Sequence, residues 1–304
     1  MWTRRAILAP LFAQEVTFRA GVDVVNLLVS VRNGAGEWVN DLNEEDFLLS
    51  EEGTPQKISY FARQSDLPLR LGLLIDTSMS QQKVIAAERG AAFRFLDQVL
   101  RERHDLVFLI QFDTLARVRL GFSDSRAQLE EVLTGIDTPT QSELRARGGA
   151  GTSCLDAIAS GAELLKTQSG RKAMIVLSDG VDSSSHHTLP MAIEAAQRAD
   201  ALIYAVYFTD PGFYSNAFGL PDGRAILARL ARETGGAFYE VSRKQSIDRI
   251  FGWIEQELRN QYSLGYIPVN RGGSPSFRRI QLITRRKGLI VRTRAGYWPR
   301  TGSP

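Results

Sequence analysis

Four short, fully apolar runs alternate with amphipathic stretches and constrain this chain most. Leu71 to Ile75, Leu106 to Phe112, Ala173 to Leu177 and Ala201 to Phe208 carry almost no polar residue. Between them, helical spacing recurs at Val84, Ala87, Ala91, Phe95 and Val99, then at Leu129, Val132, Leu133 and Ile136. It recurs again at Leu155, Ile158, Ala162 and Leu165. A strand that is apolar on both faces must be covered on both, so the pattern predicts a doubly wound α/β fold with a mostly parallel sheet. Val118 to Phe122 follows its predecessor too closely for a helical crossover and is expected to be the one antiparallel strand. Ala237 to Val241 supplies a further strand, and Ile247, Ile250, Phe251, Ile254 and Leu258 a last helix.

The two ends of the chain differ from this middle. Val25, Leu27, Val29 and Val31 fall at a strand's period of two, and Asn33-Gly34 gives a turn signal. Trp38-Val39, Phe47 to Leu49 and Ile58 to Phe61 are expected to be further short strands, as are Tyr262 to Ile267 and Phe277 to Arg294. Neither end buries a core alone, so the two are expected to combine into one small β-module. The predicted organisation is an N-terminal β-segment over 14–66, an α/β domain over 67–260 and a C-terminal β-segment over 261–304.

Residues 1–13 are expected to form an export signal. Arg4-Arg5 precedes an eight-residue apolar run, Ala6 to Ala13, and the paired arginines resemble a twin-arginine signal. The run is shorter than the ~20 residues that cross a bilayer. The expected location is therefore periplasmic or extracellular, with no transmembrane segment.

Charge is unevenly spread. From Leu258 onward there are ten Lys or Arg residues and no Asp or Glu, leaving 27 basic against 34 acidic side chains before it. The basic residues alternate with Ile280, Leu282, Ile290 and Val291. That pattern fits the solvated faces of edge strands better than a nucleic-acid surface. A single cysteine, Cys154, and three histidines leave any metal chemistry to oxygen ligands.

Three polar clusters fall where a parallel sheet binds ligands, at the carboxyl ends of its strands. Asp76-Thr77-Ser78-Met79-Ser80 follows the first apolar run. Gly148-Gly149-Ala150-Gly151-Thr152-Ser153 precedes a helix. Ser178-Asp179-Gly180 follows a third strand. Short hydroxyls with two carboxylates make a hard oxygen cage that suits Mg2+ or Mn2+, with Ca2+ also admissible. Two aspartates balance a dication and leave a position for an incoming carboxylate. Taken singly, Asp76 or Ser178-Asp179 reads as a helix cap, and Ser153 with Asp156 as a capping box. His186 and His187 are expected to be solvated. Cys154 is expected to be a small buried residue, although it opens a helix.

Asp76, Ser78, Ser80, Thr152 and Asp179, in that order, resemble the von Willebrand factor type A domain and its metal-ion-dependent adhesion site. The resemblance implies a Rossmann-like α/β fold and direct ligation by the serines. It implies direct or switchable ligation by Thr152, largely water-mediated contacts from the aspartates, and an acidic residue of a protein partner at the last position. Thr77, Met79 and Gly151 are the expected rim. Met79 stands where glycine is common, and Ala150 interrupts the usual Gly-Gly-Thr. Val31-Arg32-Asn33, Asp41 to Phe47, Gln261 to Tyr266 and Arg294 to Tyr297 are similar to a bacterial subgroup of secreted proteins with such domains.

Two rivals compete with an exported, non-enzymatic adhesion module. One is a Mg2+-dependent hydrolase similar to haloacid-dehalogenase-like phosphatases, whose second aspartate is replaced here by Ser78. The other is a scaffold that leaves the site unused. No nucleophile elbow, phosphate loop or His-Glu-x-x-His motif accompanies the cluster, so no catalytic residue is assigned.

Overall fold

The computed structural model describes residues 24–63, 67–146, 149–208, 222–270 and 276–299. The expected export signal and Gly148 lie outside them. Six strands form the central sheet: β5 (Leu69–Asp76), β6 (Leu106–Phe112), β7 (Ala116–Ser123), β8 (Arg171–Ser178), β9 (Ala201–Tyr207) and β10 (Phe238–Glu240). Their order is β10-β9-β8-β5-β6-β7, parallel throughout except for β7, which runs antiparallel to β6.

Alternation along β5 divides the core in two. Leu71, Leu73 and Ile75 face α1 (Ile85–Val99), α2 (Arg126–Thr134) and α7 (Ile247–Arg259). Leu74 turns the other way, with Phe108 and Val176, toward α4 (Cys154–Lys166), α5 (Leu189–Arg198) and α6 (Gly223–Thr234). Gly72 is needed here, because a Cβ at that position would enter the ring of Phe108. A further helix, α3 (Gln141–Ala146), is a single short segment with Leu144 as its buried residue.

The chain ends interleave. β1 (Val25–Arg32), β4 (Ile58–Arg63), β11 (Tyr262–Tyr266) and β13 (Ile290–Arg292) form one antiparallel sheet in the order β13-β1-β11-β4. β2 (Phe47–Glu51), β3 (Thr54–Gln56), β12 (Arg278–Thr284) and β14 (Gly296–Tyr297) form a second, ordered β14-β12-β2-β3. Leu27, Val29, Val31, Phe47, Leu49 and Leu264 meet in their shared core. Trp38-Val39 does not extend into a strand. It supplies one bridge, Arg32 to Trp38, after a turn in which Gly36 takes φ 84°.

This module is tied to the α/β unit through α7. Glu257, fully buried, accepts hydrogen bonds from Ser30 Oγ at 2.9 Å and from Arg292 Nη1 at 2.9 Å. Of the basic C-terminal residues, Arg278, Arg292 and Arg294 are drawn against the body of the protein, while Arg279, Arg285, Arg286 and Lys287 stay exposed. Arg278 pairs with Glu51 at 2.9 Å, Arg294 with Asp200 at 2.6 Å and Arg286 with Asp41 at 3.1 Å. Among the described residues no helix is long and apolar enough to cross a membrane.

Candidate metal centre

The parallel sheet changes direction between β5 and β8: from β5 the chain passes to β6 on one side and later to β8 on the other. The carboxyl ends of these neighbours part their loops and leave a crevice, the usual ligand position of such a sheet. β5 ends on Asp76 and β8 on Ser178, with Asp179 next.

Asp76 is fully buried. Its Oδ1 accepts the Ser78 N–H at 2.8 Å, and its Oδ2 accepts the Ser178 hydroxyl at 2.6 Å. The first bond folds the chain back so that Ser78 opens a single 3-10 turn, Met79–Gln81. That turn sets the Ser78 and Ser80 Oγ atoms 3.0 Å apart. Gln81, also fully buried, donates from Nε2 to Asp179 Oδ2 at 2.8 Å and to Ser80 Oγ at 3.4 Å. Asp179 Oδ1 accepts the Val181 N–H at 3.0 Å. Asp76, Ser78, Ser80 and Asp179 thus form one hydrogen-bonded set from two strand ends.

Thr152 reaches the same edge on a separate loop. Its N–H donates to Ser183 Oγ at 3.1 Å, and its carbonyl accepts the N–H groups of Ser183 and Ser184, both at 3.0 Å. Gly151 allows that approach, since a Cβ there would collide with Ser184 Oγ. Ser153 does not cap α4. Its hydroxyl donates to the Thr114 carbonyl at 2.7 Å and its N–H to the Asp113 carbonyl at 2.7 Å, which fastens the loop to the β6–β7 turn. The N-terminus of α4 is served instead by Asp182, which accepts the Leu155 N–H at 2.9 Å.

Asp156, the other half of the expected capping box, accepts the N–H groups of His186 at 3.0 Å and His187 at 2.9 Å. Its oxygens also lie 3.1 Å and 2.7 Å from the two Nδ1 atoms. The two histidines are therefore fixed to α4, although His186 remains 90% exposed. Of the expected rim, Met79 and Gly151 are partly exposed. Thr77 is not a rim residue: it is fully buried, and its Oγ1 donates to the Phe112 carbonyl at 3.2 Å.

Crowding of negative charge dominates the electrostatics. Burial, then the Asp179 carboxylate, push Asp76 up to about 7, against the opposing bonds from Ser178 and Ser78. Glu88, on the inward face of α1, is fully buried and neither of its oxygens has a hydrogen-bond partner. Burial and the charges of Asp76 and Asp179 hold it well above the usual carboxylate range. Cys154 is buried as expected, and burial raises its thiol well above its usual range. Gln81 and Ser183 carry no local motif; Asp179 lies 98 residues from Gln81 and Thr152 lies 31 from Ser183.

Among the described residues no three His, Cys, Asp or Glu side chains are arranged to hold a metal. An ion here would need the hydroxyls beside the two aspartates. The donors suit a hard cation. Two ligands on neighbouring corners of a Mg2+ octahedron, each ~2.1 Å from the ion, lie about 3.0 Å apart. Ser78 and Ser80 Oγ have that separation. A dication would also relieve the repulsion that raises Asp76.

No curated protein matches the chain. Among solved structures, the von Willebrand factor type A protein from Catenulispora acidiphila is similar, at 12% identity and a TM-score of 0.51. That match covers 92% of this chain and 75% of the other. BatB from Bacteroides thetaiotaomicron is 18% identical over 62% of this chain and 97% of its own, with a TM-score of 0.47. The pilus adhesin SpaC from Lactobacillus rhamnosus GG is 12% identical over 84% of this chain and 48% of its own, at 0.48. The family model of the von Willebrand factor type A domain matches residues 71–181, the span that runs from β5 to the turn after Asp179.

Proposed function

We propose that this protein is an exported, non-enzymatic binding module that holds Mg2+ and captures an acidic side chain of a protein partner. Ser78 and Ser80 would ligate the ion directly and Thr152 would approach from the opposite loop. Both oxygens of Asp76 already accept short hydrogen bonds, which suits a role through water. When bound, the ion supplies a Lewis-acidic corner for a carboxylate, while Met79 and Gly151 border it. The observation that carries this reading is the 3.0 Å pair of serine hydroxyls beside two buried aspartates at the switch point of the sheet.

Mg2+ titration of the full chain by calorimetry tests the ion. Capture of extracellular proteins in Mg2+, followed by EDTA elution, tests the partner. Asp76→Ala is expected to abolish both with the fold retained. Binding that persists in EDTA would overturn the reading, and turnover of phosphate esters by wild type but not Asp76→Ala would favour a hydrolase.

A further inference from the structure

Two buried acceptors at the base of the site lack a donor. Gln81 donates from Nε2 to Ser80 Oγ and Asp179 Oδ2, and its Oε1 has no partner. The Glu88 carboxyl has none for either oxygen. Both residues are fully buried. An unsatisfied buried acceptor costs about 1–3 kcal/mol, more if charged, so two in one place call for a common explanation.

The helix geometry supplies one. Two successive hydrogen-bonded turns link the residues, with the Val84 N–H donating to the Gln81 carbonyl at 2.9 Å and the Glu88 N–H to the Val84 carbonyl at 3.1 Å, which returns the chain to the same side. Side chains on a helix lean toward its N-terminus, so the Glu88 carboxyl leans back toward Gln81. Of the two residues, only Glu88 can become a donor without turning the Gln81 amide, and turning it would set Gln81 Oε1 against the Asp179 carboxylate.

We propose that Glu88 is a positioning residue for the metal centre, acting as a neutral hydrogen-bond donor to Gln81 Oε1 and so fixing the amide that holds Asp179. This rests on the metal-binding reading above. Burial and the neighbouring aspartates favour the neutral form of Glu88, in keeping with that role. Neutrality also matters to the partner. A dication with Asp76 and Asp179 has no net charge, whereas an ionised Glu88 beneath it would repel the arriving carboxylate.

The test compares Glu88→Gln, Glu88→Leu and Gln81→Leu in the full chain. Mg2+ affinity is measured by calorimetry, and apo stability by thermal unfolding in EDTA. Glu88→Gln keeps a donor and is expected to bind Mg2+ about as wild type does. Glu88→Leu and Gln81→Leu are expected to weaken Mg2+ about tenfold, the lower end for residues that orient a metal's ligands. Apo Glu88→Leu should also melt below wild type, because it leaves Gln81 Oε1 without its donor, whereas apo Glu88→Gln should melt about as wild type does; a merely structural role would lower the melting point of Glu88→Leu without weakening Mg2+. Should Glu88→Leu fail to fold, Gln81→Leu and Glu88→Gln still separate the outcomes. Equal weakening in Glu88→Gln and Glu88→Leu would make Glu88 a charged ligand or counter-ion and overturn the proposal. So would wild-type affinity in both leucine variants. A wild type that takes no Mg2+ at millimolar concentration would remove the metal reading and this proposal together.

Discussion

Asp76→Asn should stabilise the apo protein at pH 8 while removing its response to Mg2+. The folded state holds the Asp76 proton up to about pH 7, whereas an unfolded chain releases it near 3.8. Between those values the folded state binds more protons, so apo stability falls as pH rises through the window. The full difference corresponds to about 4 kcal/mol. Asparagine avoids the ionised carboxylate. It keeps an acceptor for the Ser78 N–H but disturbs the 2.6 Å bond from Ser178, which takes back about 1 kcal/mol. The net gain at pH 8 is about 3 kcal/mol, roughly 6–12 °C in Tm for a domain of this size. Below pH 4 the advantage should vanish.

Magnesium reverses the ranking. At about 1,000 times its Kd it adds about 4.1 kcal/mol to wild type and nothing to a variant that does not bind it. The assay is thermal unfolding of both proteins at pH 4 and pH 8, in EDTA and in excess MgCl2. A lower melting point for apo Asp76→Asn at pH 8, or equal protection of both proteins by Mg2+, would refute the reasoning.

Apparent Mg2+ affinity should fall as pH drops below about 7, because the ion competes with the Asp76 proton, and calorimetry at pH 6 and 8 checks it. Gly72→Ala should destabilise by about 1–3 kcal/mol through overpacking against the fully buried Phe108, measured by urea unfolding. Glu257→Ala leaves Arg292 and Ser30 without their shared acceptor. It should cost about 1–3 kcal/mol and speed hydrogen exchange in β1 and β13 more than in β8; uniform exchange would count against a junction role.

The fold was legible where a residue's setting is fixed by its near neighbours. Apolar runs such as Ala173 to Leu177 can only be covered strands, and the short gap before β7 permits only an antiparallel return. α3 escaped because six residues with one buried leucine make no periodic signal. The Ser153–Asp156 spacing suits a capping box, but competition decides such bonds. Thr114 offers Ser153 a carbonyl across 39 residues, and two histidine N–H groups reach Asp156 from the loop after β8. Glu88 left a trace: it sits on the same stripe as Ile85, Ala92, Phe95 and Val99, where an acid has no solvent. Polarity alone reads it as exposed.

Register explains why the rest of the site was hidden. β5 and β8 pair with Ile75 beside Leu177, which sets Asp76 level with Ser178 across 102 residues of chain. A slip of one residue would turn Ser178 to the opposite face. Asp76 Oδ2 would lose its donor, and Asp179 would move away from Gln81. The cluster of Asp76, Ser78 and Ser80 is therefore written locally, but the positions of its supports are set by the match of the apolar faces of β5 and β8. Packing of Leu71, Leu73 and Ile75 with Ala173, Ile175 and Leu177 on one side of the sheet specifies that match. The same hydrophobic pattern that makes the fold readable thus aligns the carboxylates at its edge, so a core substitution that shifts this register should abolish metal binding without touching a ligand.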